Sequence, residues 1–105
     1  MVKSETLLVG KFFKIQAIIE NDRCYFKEFY DGLNESDKKK ILALLKRIAE
    51  EGPINNEEKF KKLEGDVWEF KSYQIRVLCG FSPGKVVLLT HGFIKKKQKT
   101  PKKRN

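Results

Sequence analysis

Two apolar runs, residues 74–81 and 85–93, stand on either side of Ser82-Pro83-Gly84. No other feature limits so tightly what this chain can fold into. Strand side chains alternate between faces, proline presets one turn angle, and glycine reaches angles that other residues avoid. The two runs are therefore read as an antiparallel hairpin. A third run, residues 67–71, joins the first tightly near Ser72-Tyr73, which gives three antiparallel strands in succession.

Upstream, the pattern changes period. In residues 11–20, Phe13, Ile15, Ala17 and Ile19 alternate with Lys14, Gln16 and Ile18, a strand spacing that ends at Asn21-Asp22, which is read as a cap for the next element. Phe26, Phe29, Tyr30 and Leu33 then recur at the spacing of one helix face. That aromatic stripe is read as core rather than as a platform for bases. Ser36 or Asp37 is expected to cap a second helix running to about Glu51, with Ile41, Leu44, Leu45 and Ile48 as its buried stripe. The Lys38, Lys39 and Lys40 triplet is read as a solvated helix face. Gly52-Pro53 ends the helix, and residues 54–62 read as polar and irregular. Residues 1–10 are a flexible or extra-strand lead-in.

The order expected is β-α-α-β-β-β: an α+β domain with an N-terminal strand and a two-helix hairpin packed on an antiparallel three-stranded C-terminal sheet. At 105 residues the chain holds one domain and one core.

The formal charge of +9 suggests a nucleic-acid binder, but its distribution is more informative. Seven of the 23 basic residues lie in residues 95–105, a segment without an acid, so the remainder carries 16 − 14 = +2. The positive field belongs to a basic tail. Cys24 and Cys79 lack paired spacing and the chain has one histidine, which argues against a structural zinc site and for reduced thiols. No apolar run is long enough to span a bilayer, and no leader pattern is present, so a cytoplasmic location is expected.

Alternation also sorts the polar side chains. If Trp68, Phe70, Ile75 and Val77 pack under the helices, Lys71 and Arg76 share the open face of the sheet. His91 falls late on the last strand, and its facing is not fixed by the pattern. Lys61, Lys62, Lys95, Lys96 and Lys97 lie nearby in sequence. Such a set suits RNA cleavage without a metal, which needs a group to move the 2′-hydroxyl proton and cations for the crowded phosphate. Histidine titrates near neutrality, and arginine forks onto two phosphate oxygens. The same residues equally suit a non-catalytic module that binds RNA or the ribosome.

Three strings, KKLEGDVWEFK, YQIRVLCGF and VVLLTHGFIKKKQKTPKK, resemble the HigB-like branch of the RelE/ParE toxin superfamily, phage-derived relatives included. The likeness is close over residues 59–103 and looser back to the first strand. It implies a RelE-like microdomain and the toxin of a type II toxin–antitoxin system. The implied activity is a metal-independent endoribonuclease, an mRNA interferase that acts on the ribosome to inhibit translation and needs no cofactor. The implied partners are a cognate antitoxin, typically of helix-turn-helix type, mRNA and the ribosome, with no membrane. Carried over by position, the catalytic residues are Arg76, His91 and Lys71, and the RNA-binding residues are Lys61, Lys62, Lys95, Lys96 and Lys97. Lys71 stands where relatives usually carry arginine, and a toxin relative without activity is a further alternative.

Overall fold

A computed structural model describes residues 2–52 and 58–95. Its elements are strands β1 (Val2–Val9) and β2 (Lys14–Glu20), helices α1 (Tyr25–Asp31) and α2 (Glu35–Glu51), and strands β3 (Phe60–Glu64), β4 (Val67–Ser72), β5 (Ile75–Ser82) and β6 (Val86–Ile94). All six strands form one mixed sheet in the order β1-β2-β6-β5-β4-β3. This corrects the expected three-stranded C-terminal sheet. The chain forms α+β structure as read, but with two further strands and a larger sheet.

Both additions are edge strands. β1 pairs antiparallel with β2, from Val2 against Glu20 to Val9 against Lys14. β3 pairs antiparallel with β4, from Phe60 against Phe70 to Glu64 against Val67. In β3 only Phe60 is buried, so the segment carries almost no hydrophobic signal along the chain. The centre joins differently. β2 lies parallel to β6, with Lys14, Ile15, Gln16 and Ala17 facing Val86, Val87, Leu88 and Leu89.

One face of the sheet is dry. Ile15, Ala17, Phe70, Val77, Val87 and Leu89 are fully buried there, together with Ile41 and Ile48 of α2. Phe26 of α1 joins the same cluster, and Phe29 and Tyr30 pack against it, so the stripe read as core is core. Phe60 stacks on Trp68 at 4.6 Å and on Phe70 at 4.7 Å between ring centroids, which anchors the β3 edge to the core.

The helix starts differ from the expected caps. Asn34 caps α2, its side-chain oxygen accepting from the Asp37 backbone N–H at 2.8 Å. Ser36 and Asp37 lie inside the helix. Asn21 and Asp22 instead form a turn with φ of 51° and 65°, and Cys24 is the N-cap of α1 without a side-chain bond.

Gly10 fixes how the β1–β2 connection meets α2. The backbone N–H groups of Phe12 and Phe13 both donate to the carbonyl of Ala49, at 2.8 and 2.9 Å. A side-chain carbon on Gly10 would collide with the Ala49 backbone.

Cys79 is 1% exposed, and burial pushes its thiol pKa up to about 12. A thiol held protonated and covered does not react. Titration of the native protein with an aromatic disulfide reagent should therefore count one thiol, the partly exposed Cys24, and the second only after unfolding. Two thiols reacting at equal rates in the native state would contradict the packing around β5.

Candidate functional site

The face of the sheet away from the helices carries the polar residues of β3 to β6. Register places Lys71 directly across from Arg76, and Arg76 across from Phe93. One step further along, Glu69 faces Leu78, and Leu78 faces His91. Lys61 on β3 lies across from Glu69 and so joins the same face. The shared face expected for Lys71 and Arg76 is present.

His91 reaches this face because β6 is irregular. Cys79 pairs with Leu89, yet Leu78 pairs with His91, so Thr90 is an extra residue in the strand. In a regular strand His91 would follow Leu89 onto the buried face, two residues later. The bulge shifts the parity by one and turns His91 outward instead. Gly92 then falls on the helix side opposite Val77, where a side-chain carbon would press within 2.5 Å of the Phe29 ring. Glycine there lets α1 sit close beneath the bulge.

Thr90 also orients the imidazole. Its hydroxyl donates to the Leu78 carbonyl at 3.2 Å and lies 3.3 Å from His91 Nδ1. A hydroxyl has one proton to give, and here it points at Leu78. With that proton on Leu78, the Nδ1 contact would be an N–H donated to Thr90, the tautomer that turns an unprotonated Nε2 outward. His91 is exposed, with the Phe93 ring 6.4 Å away on the same face.

Arg76 is held from both sides. Nη1 donates to the Tyr73 carbonyl at 2.6 Å and to the Ile75 carbonyl at 3.1 Å. Nε lies 3.8 Å from a Glu69 carboxylate oxygen, with the two side chains only 14% and 12% exposed. Those contacts occupy Nη1 and Nε, and among the described residues Nη2 keeps both N–H groups without a partner. The hairpin thus fixes the guanidinium and leaves one end for an incoming oxyanion. Glu69 was not among the residues singled out in the sequence. Its place two positions before Lys71 puts it on the same face, and that alternation was the available signal.

The lysines divide. Lys95 continues the ladder past β6, its N–H donating to the Gln74 carbonyl at 2.7 Å, so it stands beside the β4–β5 turn. Lys62 pairs with Trp68, whose ring belongs to the helix face, so it does not join Lys61 and Lys71. Lys96 and Lys97 lie outside the described residues. Among the described residues no group of three or more histidine, cysteine, aspartate or glutamate side chains is placed to hold a metal ion. No described helix is long and apolar enough to cross a membrane.

A free-ended arginine, an outward histidine with a basic nitrogen, and two lysines on an open face can bind a phosphodiester and move a proton beside it. The family model described as "Phage derived protein Gp49-like (DUF891)" matches residues 28–104, from within α1 through β6, and includes every residue of the site. No curated protein matches the chain.

Proposed function

We propose a function from one premise: this chain belongs to the phage-derived Gp49-like family, which is part of the RelE/HigB-like toxin superfamily. The protein is the toxin of a type II toxin–antitoxin pair, an endoribonuclease that cleaves mRNA on the ribosome without a metal. A cognate antitoxin of helix-turn-helix type holds it inactive. The observation that carries this reading is the pairing of Arg76 and His91 as diagonal neighbours on one open face, brought there by the Thr90 bulge. Diagonal positions on adjacent strands lie ~7–8 Å apart, a span that one phosphate and its ribose can bridge.

In this reading Arg76 takes a non-bridging phosphate oxygen on Nη2. His91 Nε2 accepts the 2′-hydroxyl proton as that oxygen attacks phosphorus. Lys71, across the ladder from Arg76, adds a second positive charge as the phosphorus becomes five-coordinate. The leaving 5′-oxygen takes its proton from solvent, which reaches this exposed face. Glu69 keeps the guanidinium in place and is a positioning residue.

One observation favours a second reading, a non-catalytic module that binds RNA or the ribosome. Arg76 already has three internal partners. Expression without an antitoxin, with mapping of mRNA ends on translating ribosomes, separates the two. The toxin reading expects growth arrest and new 5′ ends from wild type, both lost in His91→Ala. Harmless expression with intact ribosome-bound mRNA would sink it and leave the binding module.

Thr90→Val tests the orientation of the imidazole. The swap nearly preserves volume but removes the oxygen that receives Nδ1–H. Cleavage should fall about tenfold, less than the roughly hundredfold or more that general acid–base catalysis contributes, because the imidazole stays and only its orientation is loosened. The nitrogen-15 shifts of His91 should move toward the other tautomer. Unchanged shifts with unchanged cleavage would remove Thr90 from the mechanism.

A further inference from the structure

A second group of cations lies apart from the row of Arg76, Leu78 and His91. Lys40 and Arg47 of α2, Lys59 just before β3, and Lys71 of β4 line a cleft of about 260 Å³ together with Tyr73. No carboxylate lines it among the described residues. Lys40 Nζ sits 4.2 Å from the centroid of the Tyr73 ring. Arg47 makes one exposed ion pair, with Glu51 at 3.5 Å. Lys59 and Lys71 make no ion pair among the described residues, and they are linked through the Lys71 N–H donating to the Lys59 carbonyl at 2.8 Å. With one exposed ion pair among four cations, the lining stays net positive, and an anion in the cleft would relieve the repulsion.

Tyr73 gives an independent pointer. It occupies the β4–β5 turn at a φ of 58°, a region that bulky side chains rarely enter, and the residue is 77% exposed. Glycine or asparagine would make this turn more easily. The ring gains little burial there, so packing does not account for it. A flat, exposed ring with the Lys40 ammonium beside it is a platform on which an unpaired base stacks.

We propose that this cleft is a second site for single-stranded RNA, holding backbone phosphates on Lys40, Lys59 and Arg47 and one base on Tyr73. The assignment rests on the nuclease reading and extends it. Lys71 borders the cleft and also stands across from Arg76, so a strand lying in the cleft runs on to the open face. Lys40 and Arg47 are seven residues apart on α2, ~10 Å along the helix axis, which exceeds the reach of one phosphate. That length favours a chain of phosphates over a single small anion. The exposed ring favours a nucleobase over an acidic peptide.

The test measures binding separately from cutting. Fluorescence anisotropy of a labelled twelve-residue uridine oligomer is read against the purified full chain at several salt concentrations. Lys40→Gln/Lys59→Gln should weaken binding at least tenfold and reduce the salt slope by about 1.4, two single-strand phosphate contacts. Tyr73→Gly should weaken binding about tenfold with the slope unchanged, while its melting temperature stays level or rises because glycine suits the turn. Opposed effects on binding and stability exclude a folding defect as the cause.

RNA binding within twofold of wild type in both variants overturns the proposal. So does a double variant that loses polyglutamate but keeps RNA, which would make the cleft a site for acidic peptides. A protein that binds RNA through the cleft but never cleaves ribosome-bound mRNA sinks the nuclease reading alone. One that cleaves, with RNA binding indifferent to both variants, sinks the cleft alone.

Discussion

Arg76→Ala is expected to lower cleavage of ribosome-bound mRNA by about a thousandfold, the scale at which removal of a positioned cation or donor slows phosphoryl and acyl transfer. The guanidinium keeps both Nη2 N–H groups without an internal partner among the described residues, a fork that a lysine on this face cannot offer. Its removal has a second effect. Glu69, 12% exposed, would lose the cation beside it, and stability should drop by about 1–2 kcal/mol. Activity and stability can be uncoupled. Glu69→Gln/Arg76→Ala should regain most of the lost stability and none of the activity. Arg76→Lys, which keeps the charge but not the fork, should lie between wild type and alanine. Cleavage by Arg76→Ala within threefold of wild type would reduce the arginine to a brace for the hairpin.

Gly10→Ala should be the most damaging conservative change to the fold. The added carbon meets the backbone of Ala49, not a side chain able to turn aside, and comes within 2.6 Å of the Ala49 Cβ as well. Relief requires the β1–β2 connection to move off α2, which breaks the two hydrogen bonds that the Ala49 carbonyl receives from Phe12 and Phe13. The expected loss is about 3 kcal/mol, the upper range for an overfilled core, or a fall of about 2 M in the urea midpoint at an m-value of ~1.5 kcal/mol/M. Gly92→Ala is the control. It meets the Phe29 ring, which can rotate, so it should cost less while perturbing α1. Equal midpoints for Gly10→Ala and wild type would show that the helix end is not seated as described.

The sequence was most legible where burial imposed a period. β2, β4, β5, β6 and both helices carry apolar residues at spacings of two or of three and four, and each lies within a few residues of the expected place. β3 was not legible because an edge strand with four exposed positions in five has no period to read. β1 was noted only as a lead-in, for a similar reason: most of its residues keep one side in solvent. Lys71 and Arg76 followed from alternation alone. His91 could not, since one extra residue reverses the parity and nothing in Leu89-Thr90-His91-Gly92 announces it. The resemblance pointed to Lys62 with Lys61 beside it, yet neighbours on a strand face opposite ways, and Lys61 is the one that shares the face of Glu69. The RNA-binding assignment of Lys96 and Lys97 falls outside the described residues.

The parallel pairing of β2 with β6 has a consequence for the order of assembly. A ribosome makes β2 early and β6 after every other strand, yet β6 lies between β2 and β5. Until β6 emerges, the β1–β2 hairpin and the β3–β4–β5 meander are two half-sheets with no strand to join them. Residues 14–17 wait for residues 86–89, a separation that makes closure slow and exposes strand edges meanwhile. The same late strand brings His91, so the sheet and the proposed chemistry are completed by one event. A nascent chain halted before β6 would carry Arg76, Lys61 and Lys71 but neither the histidine nor a finished surface on which to use them.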